Sequence, residues 1–246
     1  MQTYVVVLLG FVFCGESHFL LLTDTICYNV HIIKKEGYES IMSVIMAYET
    51  KDKLYLGSDN RLSQQDGTFI NDDRRKIFIM NKGLAIGFSG NAATQCFFES
   101  YFENSSAFKK LKYRKYRIED ILFHIDTMFM SFKINIDKEY AKNILDSSSY
   151  FIIVGKNKNN ENSIVSVSYV NGNLDYAPTK MILFPPLGLD MQSCSKIFVK
   201  NYHEYTDICI QKSVKEISQK CKTVSPSGDI WTYDIRTGKS TLEHFE

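Results

Sequence analysis

The chain has 246 residues, a formal net charge of +1 and 44% hydrophobic residues, enough apolar material for one α/β or α+β domain with a full core. The balanced charge lacks the basic excess of a nucleic-acid footprint, so no nucleic-acid partner is expected. The one basic run, residues 110–117 (KLKYRKYR), reads as a solvated loop ahead of a helix, with a patch for an acidic partner as the alternative.

The six cysteines contain no CxxC pair, and no Cys/His cluster has zinc spacing, so no metal is expected. Cys209 and Cys221 fall in an apolar helical pattern and read as buried free thiols in a reducing, cytoplasmic setting. His124 and His203 have no paired ligands and read as ordinary histidines.

Residues 1–42 differ in pattern from the rest of the chain. The apolar run 4–13 (YVVVLLGFVF) is too short to span a bilayer as a helix. Three readings of this leader stay open: a start codon placed too early, a removable propeptide, or a signal peptide whose first residues lack a positive charge.

From Ser43 the pattern becomes regular. Residues 43–49 (SVIMAYE) and 53–58 (KLYLGS) predict two strands joined by a polar turn at 50–52. Residues 76–80 (KIFIM) and 83–88 (GLAIGF) predict a second pair around Asn81 and Lys82. Residues 91–104 read as a helix with an aromatic face, and Phe97 to Phe102 as its packing stripe. Ile118, Ile121, Leu122, Ile125, Met128, Phe129 and Phe132 then recur at helical spacing. Strands come next at 150–154 and 163–170, with a turn at 171–173 and a further strand at 181–184. Two helices are predicted near 191–202 and 207–221, the second capped by Thr206. A strand at 230–235, with Trp231 in the core, and a short tail strand close the chain. Strands, two helices, strands, two helices and a strand suit two stacked sheets with helices outside each. No repeat or linker divides the chain, so 43–246 is read as one domain behind a leader of 1–42.

Four residues bear on chemistry. Ser43 opens the first strand, and Asp59 ends the second, sixteen positions later. Lys76 stands directly before the apolar Ile77, Phe78 and Ile79, and Gly87 begins the sequence Gly-Phe-Ser-Gly-Asn-Ala. A serine hydroxyl is a weak nucleophile at neutral pH and needs a base. At the start of a chain its own α-amine, with a reference pKa of about 7.7–8.0, can serve. A nearby ammonium lowers the pKa of hydroxyl and amine, a carboxylate holds the ammonium, and backbone N–H groups receive the oxyanion. Each residue also has a bland reading: Ser43 as a polar strand residue, Asp59 as a turn former, Lys76 as an exposed charge and Gly87 as a close-packing glycine. Arg61, two positions beyond Asp59, makes a buried ion pair the favoured role for that aspartate.

The stretch 43–59 resembles the opening hairpin of proteasome β-type subunits, in which the nucleophile opens the first strand. Ser58-Asp59-Asn60-Arg61 resembles that family's S/A-D-x-R segment, and Arg74-Arg75-Lys76 its basic run, one residue further along. Gly87 to Ala92 resembles its G-x-x-G-D/N-A segment. The resemblance implies an α+β, four-layer αββα N-terminal-nucleophile (Ntn) hydrolase fold. Ser43 would be the nucleophile, Lys76 the pKa-lowering ammonium, Asp59 its anchor and Gly87 the oxyanion donor. The reaction would be amide hydrolysis of peptides or unfolded proteins, with no cofactor, metal or membrane. Assembly would be a homo-oligomeric ring or helical array, with or without an ATPase feeding it. Met42 precedes Ser43, so initiation there and methionine removal would free the nucleophile.

The C-terminal half departs from the family. Residues 186–190 (PLGLD) lack the serine of its glycine-serine-glycine turn, and residues 222–229 (KTVSPSGD) lack an aspartate before the last glycine turn. Ser225, Ser227 and Asp190 are the candidate replacements. A non-catalytic self-assembling subunit of the same fold therefore stays open, as does an acylase for small amides.

Overall fold

The computed structural model describes residues 40–41, 43–63, 68–104, 116–135 and 139–246. The apolar run at 4–13, Cys14, Cys27 and most of the basic run at 110–117 lie outside these residues, as do the side chains of Tyr101 and Phe102.

Period-two alternation organises the strands. In β2 (Ile45–Glu49), Ile45 and Ala47 face one way, and Met46 and Tyr48 the other. β3 (Lys53–Asp59) pairs with β2 across the polar turn, where Thr50 N donates to Lys53 O at 2.8 Å. β2 and β3 sit inside a five-stranded antiparallel sheet whose order is β11 (Met181–Phe184), β2, β3, β12 (Gly228–Asp234) and β13 (Ser240–Phe245).

The second sheet is built on β7 (Leu84–Asn91), β8 (Ser149–Lys156), β9 (Asn162–Val170) and β10 (Asn173–Thr179). One edge of β7 is shared. β6 (Ile77–Asn81) pairs with its first half, and the two-residue β1 (Ser40–Ile41) pairs with its last two residues. A short hairpin of β4 (Leu62–Ser63) and β5 (Phe69–Asn71) stands apart.

Three apolar layers hold these sheets. Ile45, Leu56, Ile152, Val154 and Trp231 fill the space between them. Phe88, Phe151 and Tyr169, on the opposite face of the second sheet, pack against α1 (Ala92–Asn104), α2 (Ile118–Ile134) and α3 (Glu139–Leu145). Met46, Tyr48 and Tyr55, on the opposite face of the first sheet, pack against α4 (Met191–Glu204) and α5 (Cys209–Ser218). The protein is thus a mixed α+β structure on antiparallel sheets.

The expected elements are present, with differences at their ends. β7 runs to Asn91, three residues beyond its predicted end, and the Asn91 side chain then accepts from Ala93 N (2.7 Å), capping α1. Strand β10 was not expected; it is an exposed edge strand with no apolar alternation to mark it. Helix α3 was not expected either. Thr206 does not cap α5: its hydroxyl donates to Tyr202 O at 2.9 Å, and a 3-10 turn, Thr206–Ile208, precedes the helix. Trp231 is buried as expected. Cys194, Cys209 and Cys221 are buried free thiols, and Cys96 is exposed. Among the described residues no helix is long and apolar enough to cross a membrane.

Gly57 is where β3 meets α5 most closely. A Cβ built there lies 2.2 Å from Ile210 Cγ2. Gly57→Ala is expected to cost about 1–3 kcal/mol by overpacking. Ile210→Ala, which removes the obstructing atoms, is expected to make the double variant lose less than the sum of the singles by about 1 kcal/mol in urea unfolding.

Candidate active site

Ser43 precedes β2 and is buried, with its Oγ lacking a hydrogen-bond partner within the described structure. It is fixed through its backbone: Ser89 Oγ, on the facing sheet, donates to Ser43 O at 2.8 Å. The next residue, Val44, donates its N–H to Asp59 Oδ1 at 3.0 Å, while Asp59 N–H donates to Val44 O at 3.3 Å. The hairpin therefore ties the candidate nucleophile to the candidate carboxylate at one residue's remove.

Asp59 and Lys76 are both 0% exposed and form an ion pair, Lys76 Nζ to Asp59 Oδ1, at 3.2 Å. Lys76 Nζ also donates to Arg61 O at 2.7 Å. Asp59 Oδ2 accepts from Arg61 N–H (2.9 Å) and from Ser225 N–H (3.2 Å). The carboxyl group thus faces three N–H donors and an ammonium, a donor set that fits the anion and leaves no lone pair for a carboxyl proton.

Burial raises the Asp59 pKa, opposed by Lys76 and by the N–H groups of Arg61 and Ser225. Burial lowers the Lys76 pKa, opposed by Asp59. The two opposed effects make Asp59 and Lys76 one electrostatic unit, each holding the other's charge against burial.

Sequence proximity misplaces one partner. The Arg61 guanidinium does not pair with Asp59. It makes a two-pronged bond to Asp72, Nε to Oδ1 and Nη2 to Oδ2, each 2.8 Å, and its Nη1 donates to Lys222 O at 2.8 Å. That bond holds the Asp72 carboxyl below its ordinary pKa. Arg61 thus clamps the segment after β5 to the loop before β12, and that loop carries Ser225 to Asp59. Arg74 ties the same region to α1 through Glu99 Oε2 at 2.7 Å.

Gly87 is placed differently from the other three. It lies inside β7, opposite Ile77 of β6 and Ile152 of β8. Phe88 N donates to Lys76 O at 2.9 Å, so by antiparallel alternation the N–H of Gly87 turns into the ladder with β8. A Cβ there would meet Leu56 Cδ1 at 3.0 Å, so the glycine permits close packing of the sheets. The same alternation turns the N–H of Gly90 to the opposite edge, where β6 has ended and Ile41 is its partner. Gly90 has φ +122°, and a Cβ would lie 2.5 Å from Ser148 O, so only glycine fits.

The C-terminal turns are also resolved. Asp190 is exposed and caps α4, accepting from Ser193 N–H at 2.8 Å and Ser193 Oγ at 2.6 Å. Ser225 Oγ and Ser227 Oγ lie 2.8 Å apart. Of the three candidate replacements, Ser225 alone has a bond to the Asp59–Lys76 pair, and it does so through its backbone. Nothing in its sequence context marks that role, since the N–H belongs to any residue at that turn. Among the described residues no group of three metal-ligating side chains gathers.

The chain matches no protein-family model and no curated protein by sequence.

A buried ion pair broken on one side leaves an uncompensated charge. Lys76→Met and Asp59→Asn are each expected to destabilise the fold, Lys76→Met by about 3–5 kcal/mol. The double variant is expected to lose less than the sum by about 1–3 kcal/mol in urea unfolding. Additive losses would mean that the two groups do not share one electrostatic unit.

Proposed function

We propose that the chain is an amide hydrolase of the N-terminal-nucleophile type, built on the four-layer αββα fold of proteasome β-type subunits and acting through Ser43. The observation that carries this reading is the fully buried Lys76–Asp59 pair, bonded through Val44 to the residue beside an unpartnered, buried serine hydroxyl. A lone polar strand residue has no need of such a neighbour.

In this reading cleavage before Ser43 frees its α-amine. The Ser43 hydroxyl adds to the carbonyl carbon of an amide, and its proton passes to the α-amine. The tetrahedral intermediate collapses, the amine leaves with that proton, and water hydrolyses the ester to regenerate the hydroxyl. Lys76 lowers the local pKa and Asp59 holds it in place. The oxyanion falls to the N–H of Gly90 and not Gly87, because the Gly90 N–H faces the edge of β7 that β6 leaves, which residues 40–41 cover until cleavage removes them. The substrate is a peptide or unfolded protein in extended form, and no cofactor is required. A cytoplasmic, homo-oligomeric enzyme is the setting that the resemblance suggests.

A non-catalytic subunit is the second reading. It is favoured by the turns at 186–190 and 222–229, where Asp190 is spent on a helix cap and no aspartate precedes the glycine turn at Gly228.

The two readings separate on one measurement. Protein from its native cell, tested by intact mass and by a serine-reactive β-lactone probe, is expected to begin at Ser43 and to label there. Ser43→Ala is expected to abolish labelling and to lower peptide hydrolysis by at least ~10³-fold. A mature chain that retains residues before Ser43 and does not label would leave the non-catalytic reading.

A further inference from the structure

Helix α2 carries two apolar faces. The inner one is the core face already described. On the opposite side Phe123, Met130 and Ile134 are 54%, 49% and 70% exposed, and Thr127 completes the row. Positions 123, 127, 130 and 134 alternate steps of four and three, the seam of an antiparallel or parallel helix pair. Exposed single hydrophobes are ordinary, but a row at seam spacing along three turns is not.

The charges beside the row indicate what covers it. Asp126 and Lys133 are exposed, lie seven positions apart on the same flank, and make no ion pair among the described residues. In an antiparallel pairing of two such helices, with Phe123 facing Ile134 and Thr127 facing Met130 of the other copy, Asp126 falls beside Lys133. The two-fold axis repeats that contact. A parallel two-fold pairing would instead put Asp126 and Lys133 of the two copies on opposite sides of the seam, with no Asp126–Lys133 contact. The pattern is therefore self-complementary for one orientation only, as an isologous interface demands.

We propose that the outer stripe of α2 is a self-association surface, on which two copies of this chain pair their α2 helices antiparallel about a two-fold axis. The seam is Phe123, Thr127, Met130 and Ile134, and Asp126 and Lys133 set its direction. The row spans about 16 Å of helix. Such a strip is smaller than the roughly 800 Å² per partner of a standard interface, so the pairing is expected in the micromolar range. The inference does not depend on Ser43 being a nucleophile.

The test is sedimentation velocity of the purified chain across a concentration series. The wild type is expected to form a reversible dimer, or a larger assembly that contains this dimer contact. Met130→Glu is expected to abolish the contact while leaving the thermal unfolding midpoint unchanged, because the side chain is outside the core. Asp126→Lys and Lys133→Asp are each expected to weaken association roughly tenfold, and the double exchange to restore it. A wild type that stays monomeric at ~100 µM would overturn the proposal, whether or not the stripe binds lipid vesicles or another protein. So would an oligomer that Met130→Glu and the charge variants leave unchanged.

Discussion

Two opposite charges, Asp59 and Lys76, are withdrawn completely from water, and much of the surrounding chain is arranged to make that tolerable. Desolvating an ion costs several kcal/mol even after relaxation, and the Coulombic attraction offsets this only where the remaining lone pairs and protons are bonded. The structure meets that condition with backbone. Val44, Arg61 and Ser225 supply N–H groups to the carboxylate, and Arg61 supplies a carbonyl to the ammonium. Four chain segments distant in sequence must therefore converge: the start of β2, the end of β3, the start of β6 and the turn before β12.

That convergence depends on the layers. β3 is flanked by β2 and β12 in the first sheet, and the β12 register of Gly228 opposite Asp59 sets where the 225–227 turn can reach. β6 belongs to the other sheet, so Lys76 crosses the space between the sheets to meet Asp59. The apolar layer that includes Leu56, Ile77 and Trp231 fixes the distance it must cross. The Arg61–Asp72 clamp then ties the loop after β3 to Lys222, three residues before Ser225. Packing thus sets the electrostatics of the site, and the site in turn accounts for a buried lysine that packing alone would exclude.

Much of this was legible in the sequence where spacing and period were strong. The hairpin of β2 and β3 could be read because apolar alternation and a polar turn agree, and its ends place Ser43 and Asp59. Lys76 could be read because it abuts an apolar run. The glycines could not be separated so easily. Gly87 and Gly90 lie three positions apart, and the resemblance assigns the oxyanion role to the first glycine of its segment by motif position alone. The strand in fact continues to Asn91, which buries the Gly87 N–H in the ladder and moves the edge to Gly90. Arg61 was misjudged for a related reason: closeness along the chain does not say which way a long side chain leaves it. Strand β10 left no pattern, since an exposed edge strand selects little at either face.

The segment before Ser43 bears on both functional readings. Ser40–Ile41 lies on the edge of β7 beside Gly90 and Asn91, directly after β6 has given up that edge. An unpaired strand edge is a template for another extended chain. On the proposed reading, the polypeptide's own leader occupies the place where an extended substrate would pair, and its peptide bond to Ser43 withholds the amine that the chemistry needs. Cleavage at that bond would then do two things at once, freeing a base and clearing an edge. If the leader is instead retained, the same pairing completes the sheet and leaves a buried, intact structure. The buried Lys76–Asp59 pair is common to both outcomes, so on the proposed reading the state of one peptide bond decides whether its geometry is used.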